Sequence, residues 1–406
     1  MALAALLLLL ALLPFVPHGG SDDGAIVPSG RVAARPASSG TAGYGRVTAA
    51  MSRTIDRLLT SPTPRLLPDA SPRMLASALT RCAIFEGQRY CLGVGWTDQT
   101  QTQVAARLGQ AAARRTTVGE QTGDLDPMAV LERQARLNRR ARATQERAEL
   151  TQAARSVAKV WLLRHEIQGV PLPQGFWAEH PEARALTSPT LAARTGATPS
   201  ANPTVNPSPM LIKKRYQDYP NHQHVLDPQH VQEQHQTYWC GPATMQMIGW
   251  AWKGYRNKQR YWADRLHTTT SGTSISDMVR LVNASTGYDR KTYAGPYVVL
   301  DISDYGFKHW MTLMMRHFVD YHAPVVLHPV LLTQFYPYLD HDGSGHFQVG
   351  RGYRKRPGKE PLLSYFEPWD QQRFHPDEPY IGRVQWRDAY KSYRANQAHF
   401  QHNVGV

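Results

Sequence analysis

Cysteine is scarce in this 406-residue chain, with three residues in all. So low a number excludes a disulfide-dense mini-domain, and no zinc-finger spacing, RNP-like motif or clustered lysine run is present to mark a nucleic-acid reader. Acidic residues are also under-represented: 32 Asp and Glu face 46 Lys and Arg, for a formal charge of +14. A basic surface of this kind favours anionic partners such as cell-surface polymers, or serves only for solubility. Hydrophobic residues make up 42% of the chain, which excludes wholesale disorder and allows a large core. Long apolar runs are missing with one exception. "MALAALLLLLALLPFVPHGG" (1–20) is shorter than the roughly 20 apolar residues of a comfortable bilayer span, and it reads as the apolar core of a secretory signal peptide without Lys or Arg before it. The expectation is a secreted or cell-surface protein with no stable membrane span.

Export changes how the cysteines read. Cys82 and Cys91 flank "EGQ" in "RCAIFEGQRYCLGVGW", two strand-like runs that form a hairpin a disulfide can staple. Cys240 is then left as a single thiol.

Composition divides the rest. Residues 21–72, rich in Gly, Ser, Ala, Pro and Arg, read as flexible spacer. Residues 73–168 read as a separate N-terminal module of no recognisable chemistry. Its long helix over "LDPMAVLERQARLNRRARATQERAEL" starts at Asp126 and Pro127, with Glu/Arg pairs on a solvent face. A Pro-rich linker covers 169–209. From 210 to 406, helices come first ("PATMQMIGWAW", "TSISDMVRLVNAST", "FKHWMTLMMRHFVDYH") and strands later ("PVVLHPVLL", "GHFQVGRGY", "PLLSYFEP"), the order of an α+β domain.

The chemistry gathers around Cys240. Gly241 and Pro242 suit a bend and the first turn of a helix, so the thiol sits where the macrodipole and free N–H groups favour an anion and lower the thiol pKa. The Cys240 N–H and the side chain of Gln234, six residues earlier, supply donors for a substrate oxyanion. Among 17 histidines, His346 stands at the head of an alternating strand after a Gly-containing turn. An acceptor must fix its tautomer, and "YFEPWD" offers Glu367 or Asp370. "DHDGSGH" (340–346) has the look of a Ca²⁺ loop but lacks the later Glu, and it reads as a turn.

"Q-x5-CGPA", then "GTS", "LVNASTGY", "APVVL", "GHFQVGRGY" and "EPW", in that order, resemble the C39-like cysteine peptidases over Val225 to Tyr393. That resemblance implies a papain-like fold with a helical lobe followed by an antiparallel sheet, and no metal or other cofactor. By position it implies Cys240 as nucleophile, His346 as base, Glu367 as orienting acid and Gln234 in the oxyanion hole. Glu stands where the motif usually has Asp, which keeps Asp370 open for the third role. The expected substrate is a peptide or protein. A catalytically inactive surface-binding module and an acyl transferase on the same scaffold are the alternatives.

Overall fold

The computed structural model describes residues 45–61, 70–114, 120–183, 214–286 and 296–406. All of them belong to one compact unit, Thr41–Val406. The proposed signal segment 1–20 and most of the 169–209 linker lie outside the described residues.

Helix and sheet are mixed, as expected, and most elements arise where their local patterns place them. The cysteine hairpin forms from β1 (Cys82–Phe85) and β2 (Gln88–Cys91), with Cys82 directly opposite Cys91 and the two joined by a disulfide. Glu86 and Gly87 both take positive φ in the turn. Asp126 caps the next helix, Pro127–Arg136, accepting from Met128 N (2.7 Å) and Ala129 N (3.2 Å), and Pro127 costs no hydrogen bond in the first turn. The long helix expected after it is two helices. Leu137 is extended and Asn138 recaps the chain for Arg139–Leu163, its side chain accepting from Ala141 N. Nor do the acids of that second helix all face water. Glu146 is buried and holds Arg81 at 2.7 Å, tying the helix to the base of the hairpin. The stretch 21–72, expected to be spacer, carries a helix at Ala49–Thr60 capped by Thr48.

A separate N-terminal module is not what the sheet shows. Among the described residues ten strands form one sheet, in the order β1-β2-β3-β5-β10-β6-β7-β8-β9, with β4 (His222–His224) paired to β7. β3 (Gly95–Thr97) runs parallel to β5 (Val299–Asp301), Trp96 facing Leu300. β5 in turn pairs with the C-terminal β10 (Asn403–Gly405). The hairpin is therefore the outer edge of the sheet that continues through β6 (Val325–Leu327), β7 (Gln348–Arg356), β8 (Lys359–Phe366) and β9 (Val384–Asp388). Trp96, Phe85 and Tyr90 share one apolar core with Trp310, Met314 and Phe318 of the helix Phe307–Val319, all of them buried. Strand pairing is set by which backbone edges are free in space, and composition carries no trace of that.

The disulfide gives a direct test. It spans nine residues, and closing so short a loop limits its contribution to about 2.5 kcal/mol by chain entropy. Paired Cys82→Ser and Cys91→Ser changes are expected to lower unfolding free energy by roughly that amount or less in urea melts. An unchanged midpoint would mean the hairpin is held by Glu146–Arg81 and its apolar face alone.

Candidate active site

The helix Cys240–Lys253 begins at the cysteine, preceded by Trp239 in a non-helical conformation, and ends at Gly254 with φ +65°. No side chain caps its first turn. The backbone N–H groups of Phe347 and Gly241 both serve the Cys240 sulfur. Phe347 is the neighbour of His346, so the helix start is pressed against the head of β7.

His346 and Glu367 are wholly buried. His346 Nε2 lies 2.6 Å from Glu367 Oε1, the second carboxylate oxygen accepts from Gln348 Nε2 at 2.6 Å, and Trp369 N donates to Oε1 at 2.8 Å. Three donors thus fix the carboxylate. Its acceptance from Nε2 leaves His346 Nδ1 as the free ring nitrogen, and that atom is buried with no hydrogen-bond partner. The Trp369 ring stands edge-on to the imidazole at 6.5 Å. Asp370 is elsewhere. It caps the short helix Gln371–Phe374, accepting from Arg373 N at 3.3 Å, and hydrogen-bonds with Glu233. Of the two acids left open by the sequence, Glu367 is the one placed on His346.

Gln234 is buried and its backbone N–H donates to Pro368 O at 2.8 Å, joining it to the Glu367–Trp369 turn. Its Nε2 donates to Thr237 O (2.6 Å), Gln236 O (3.0 Å) and, across the chain, Thr122 O (3.4 Å).

That last contact belongs to a segment the local pattern does not mark. Residues 120–125 lie directly over Cys240. Glu120 O accepts from Ser344 N (2.8 Å), Thr122 N donates to Ser344 Oγ (2.9 Å), and Asp124 N donates to Gly345 O (3.2 Å). On the opposite side Gly123 O accepts from Thr273 N (2.9 Å) and Leu125 N donates to Thr273 O (2.8 Å). Gly123 has φ +119°, and a Cβ built on it would stand 2.8 Å from the Cys240 sulfur. Only its nearness to the Asp126–Pro127 helix start, with a glycine just ahead, hints at a turn there.

This cover reverses the expected state of the thiol. Burial pushes the Cys240 thiol well above its ordinary range, and the charges of Asp124 and Glu367 add to the rise, while the Phe347 and Gly241 N–H groups oppose it. Cys240 is wholly buried, so the desolvation of an anion outweighs the helix terminus. In the covered state it is a neutral thiol.

Asp124 also sits between two buried histidines, His328 (Nε2 to Oδ1, 2.9 Å) and His399 (Nε2 to Oδ2, 3.0 Å). Side-chain types alone would suit a divalent cation. On the His399 side the hydrogen bonds make a lock, while His328 Nε2 and Asp124 Oδ1 face each other without one. His399 Nδ1 accepts from Gln401 N at 3.1 Å, so its Nε2 carries the proton and donates to Asp124. Asn403 commits its amide nitrogen to Val94 O and Gln401 Oε1, which leaves its oxygen to receive His328 Nδ1 at 2.7 Å. Burial works to raise the Asp124 carboxyl, yet the charge of His328 and the hydrogen bond and charge of His399 outweigh it and hold the group well below the usual carboxylate range. Burial, together with the charge of His328, pushes His399 down to about 4.

A second group of possible ligands, Asp340, His341 and Glu378, lies at the surface beside Glu120. Among the described residues no helix is long and apolar enough to cross a membrane.

Residues 227–398, in the C-terminal part of the chain, match the sequence profile of the Peptidase_C39 like family. No curated protein and no solved structure matches the chain.

Proposed function

We propose, taking the C39-like domain as premise, that this protein is a cysteine-type amide hydrolase of papain-like architecture acting on peptides or proteins. The observation that carries the reading is the buried His346–Glu367 pair, with Nδ1 left without a partner at the start of the Cys240 helix. In the proposed cycle His346 Nδ1 takes the Cys240 proton as the sulfur attacks a substrate carbonyl carbon. Gln234 Nε2 and the Cys240 N–H stabilise the oxyanion. Collapse breaks the C–N bond, His346 returns the proton to the leaving amine, and a thioester remains. Water, deprotonated by the same imidazole, then releases the acid and restores the thiol. Glu367 holds the ring and stabilises its positive form, as a carboxylate does in any triad of this kind. Export to an oxidising compartment fits the Cys82–Cys91 disulfide.

The third role is the sharpest test. Glu367→Ala is expected to lower turnover by about 10³-fold while Asp370→Ala changes it by only a few-fold, since one acid holds the imidazole and the other caps a surface helix. The measurement is release of peptide fragments, followed by mass spectrometry, in proteins that also carry Asp124→Ala to uncover Cys240, with circular dichroism to check that both variants fold. The opposite ranking would hand the role to Asp370.

A second reading is favoured by the burial of Cys240, namely a catalytically inactive surface-binding module that keeps the fold. Reactivity of the thiol separates the two, and the segment over Cys240 decides how that experiment must be designed.

A further inference from the structure

We infer that residues 120–125 form an intramolecular inhibitory strap, which occupies the substrate cleft and keeps the protein latent until the strap is displaced or cut. The inference rests on the peptidase reading for the meaning of the cleft, and on geometry for the rest.

The strap uses backbone groups that any extended peptide would need. One wall of the cleft is Ser344–Gly345, directly before His346, and the other is Gly272–Thr273, in the turn leading into the helix Ile275–Thr286. Gly345 O is taken by Asp124 N, and both Thr273 N and Thr273 O are taken by Gly123 and Leu125. Gln234 Nε2 also faces a carbonyl of the strap, Thr122 O at 3.4 Å, beside the closer carbonyls of its own loop, Gln236 O and Thr237 O. No peptide can pair with either wall at these groups while these bonds stand. Occupancy and catalysis are mutually exclusive.

The fit is close enough to exclude side chains. Gly123 lies against the sulfur and against the Tyr238 carbonyl, where a Cβ would come within 2.8 Å of both. Gly272, at φ +106°, passes so near that a Cβ there would be 2.2 Å from Gly123 O. The strap therefore crosses where two glycines let the backbones touch.

Two side chains anchor the strap to the sheet side. Thr122 Oγ1 donates to Gly345 O at 2.9 Å. Asp124 accepts from His399 and faces His328 in a site where all three groups are buried. An exposed surface loop would have no need of such an anchor. This one is held by a carboxylate set between two imidazoles, and the same carboxylate adds to the cost of forming a thiolate at Cys240.

The experiment reads Cys240 alkylation by iodoacetamide at neutral pH, in the full-length protein with the disulfide intact. Asp124→Ala removes the anchor, and Gly123→Ala forces a methyl against the sulfur. Each is expected to react at least about tenfold faster than wild type, because local opening then limits the rate less. Near-UV circular dichroism reports that each variant remains folded. Wild-type protein in sub-denaturing urea supplies a measurement that needs no variant. Cys240 should become reactive, and proteolysis should cut within 120–125, at urea concentrations well below the global transition seen by tryptophan fluorescence. Folded variants no more reactive than wild type, or wild-type reactivity that appears only with global unfolding, would overturn the strap. Fast alkylation without hydrolysis of any peptide in a library would support the strap and sink the peptidase reading instead.

Discussion

Replacing Cys240 by alanine in the strap-opened Asp124→Ala protein is expected to reduce peptide hydrolysis by roughly 10⁴- to 10⁶-fold, with no comparable loss of stability. The nucleophile has no understudy. The other two cysteines are joined to each other in the hairpin. His346→Ala should cost about as much, because the thiol is neutral in the covered state and needs a base to be activated even once uncovered. The double variant should then be no worse than either single one, since nucleophile and base act as a unit. Gln234→Ala should be milder, with alkylation of the opened protein nearly intact and turnover reduced by about 10²- to 10³-fold, because its donor serves the oxyanion and not the sulfur. Initial rates on one defined peptide, compared across the Asp124→Ala parent and its four variants, check all of this. Activity that survived Cys240→Ala would remove the cysteine from the mechanism.

Acid is expected to weaken the folded protein through His399. Its folded pKa, about 4, lies below the unfolded value near 6.5, so the unfolded chain binds more protons between those limits. The stability this group contributes is complete above about pH 6.5 and is lost as pH falls through 4, a total of about 3 kcal/mol from a shift of this size. The cause is specific. Protonation at Nδ1 would turn the acceptor of Gln401 N–H into a donor, and it would bury a positive ring against that of His328, 4.0 Å away between ring centres. Asp124 works in the same direction at lower pH. Its depressed carboxyl stabilises the fold above the unfolded carboxylate range and ceases to do so in strong acid. Urea melts from pH 7 to pH 4.5 on wild type and His399→Gln provide the check. Glutamine can still donate to Asp124 but does not titrate, so its profile should be flatter by that difference. Parallel profiles would mean His399 keeps its proton balance on unfolding.

How much of this was legible before folding depends on the range of the interaction. Helix starts at Asp126–Pro127 and Cys240–Gly241–Pro242, the hairpin around Glu86–Gly87, and the strand after His346 are decided by neighbours a few residues apart. They were readable from local chemistry. So were the candidate roles of Gln234, Cys240 and His346, because the order of short motifs carried them. The choice between Glu367 and Asp370 was not. Both lie within one turn of chain, and only the packing of β7 on β8 shows which carboxylate meets His346 Nε2.

What only the tertiary structure decided lies farther apart in the chain. The N-terminal strands join the C-terminal sheet through one parallel contact, Trp96 against Leu300, between residues some two hundred positions apart. The strap reaches Cys240 across more than a hundred residues, and it does so mainly with backbone N–H and C=O groups, which every residue possesses and no sequence pattern advertises. The same long-range contact inverted the electrostatics at the site. The sequence by itself determined a thiol at a helix N-terminus, where a dipole favours the anion. Folding then buried that thiol beneath Gly123 and beside Asp124, and the cost of removing a charge from water exceeds what a helix end returns.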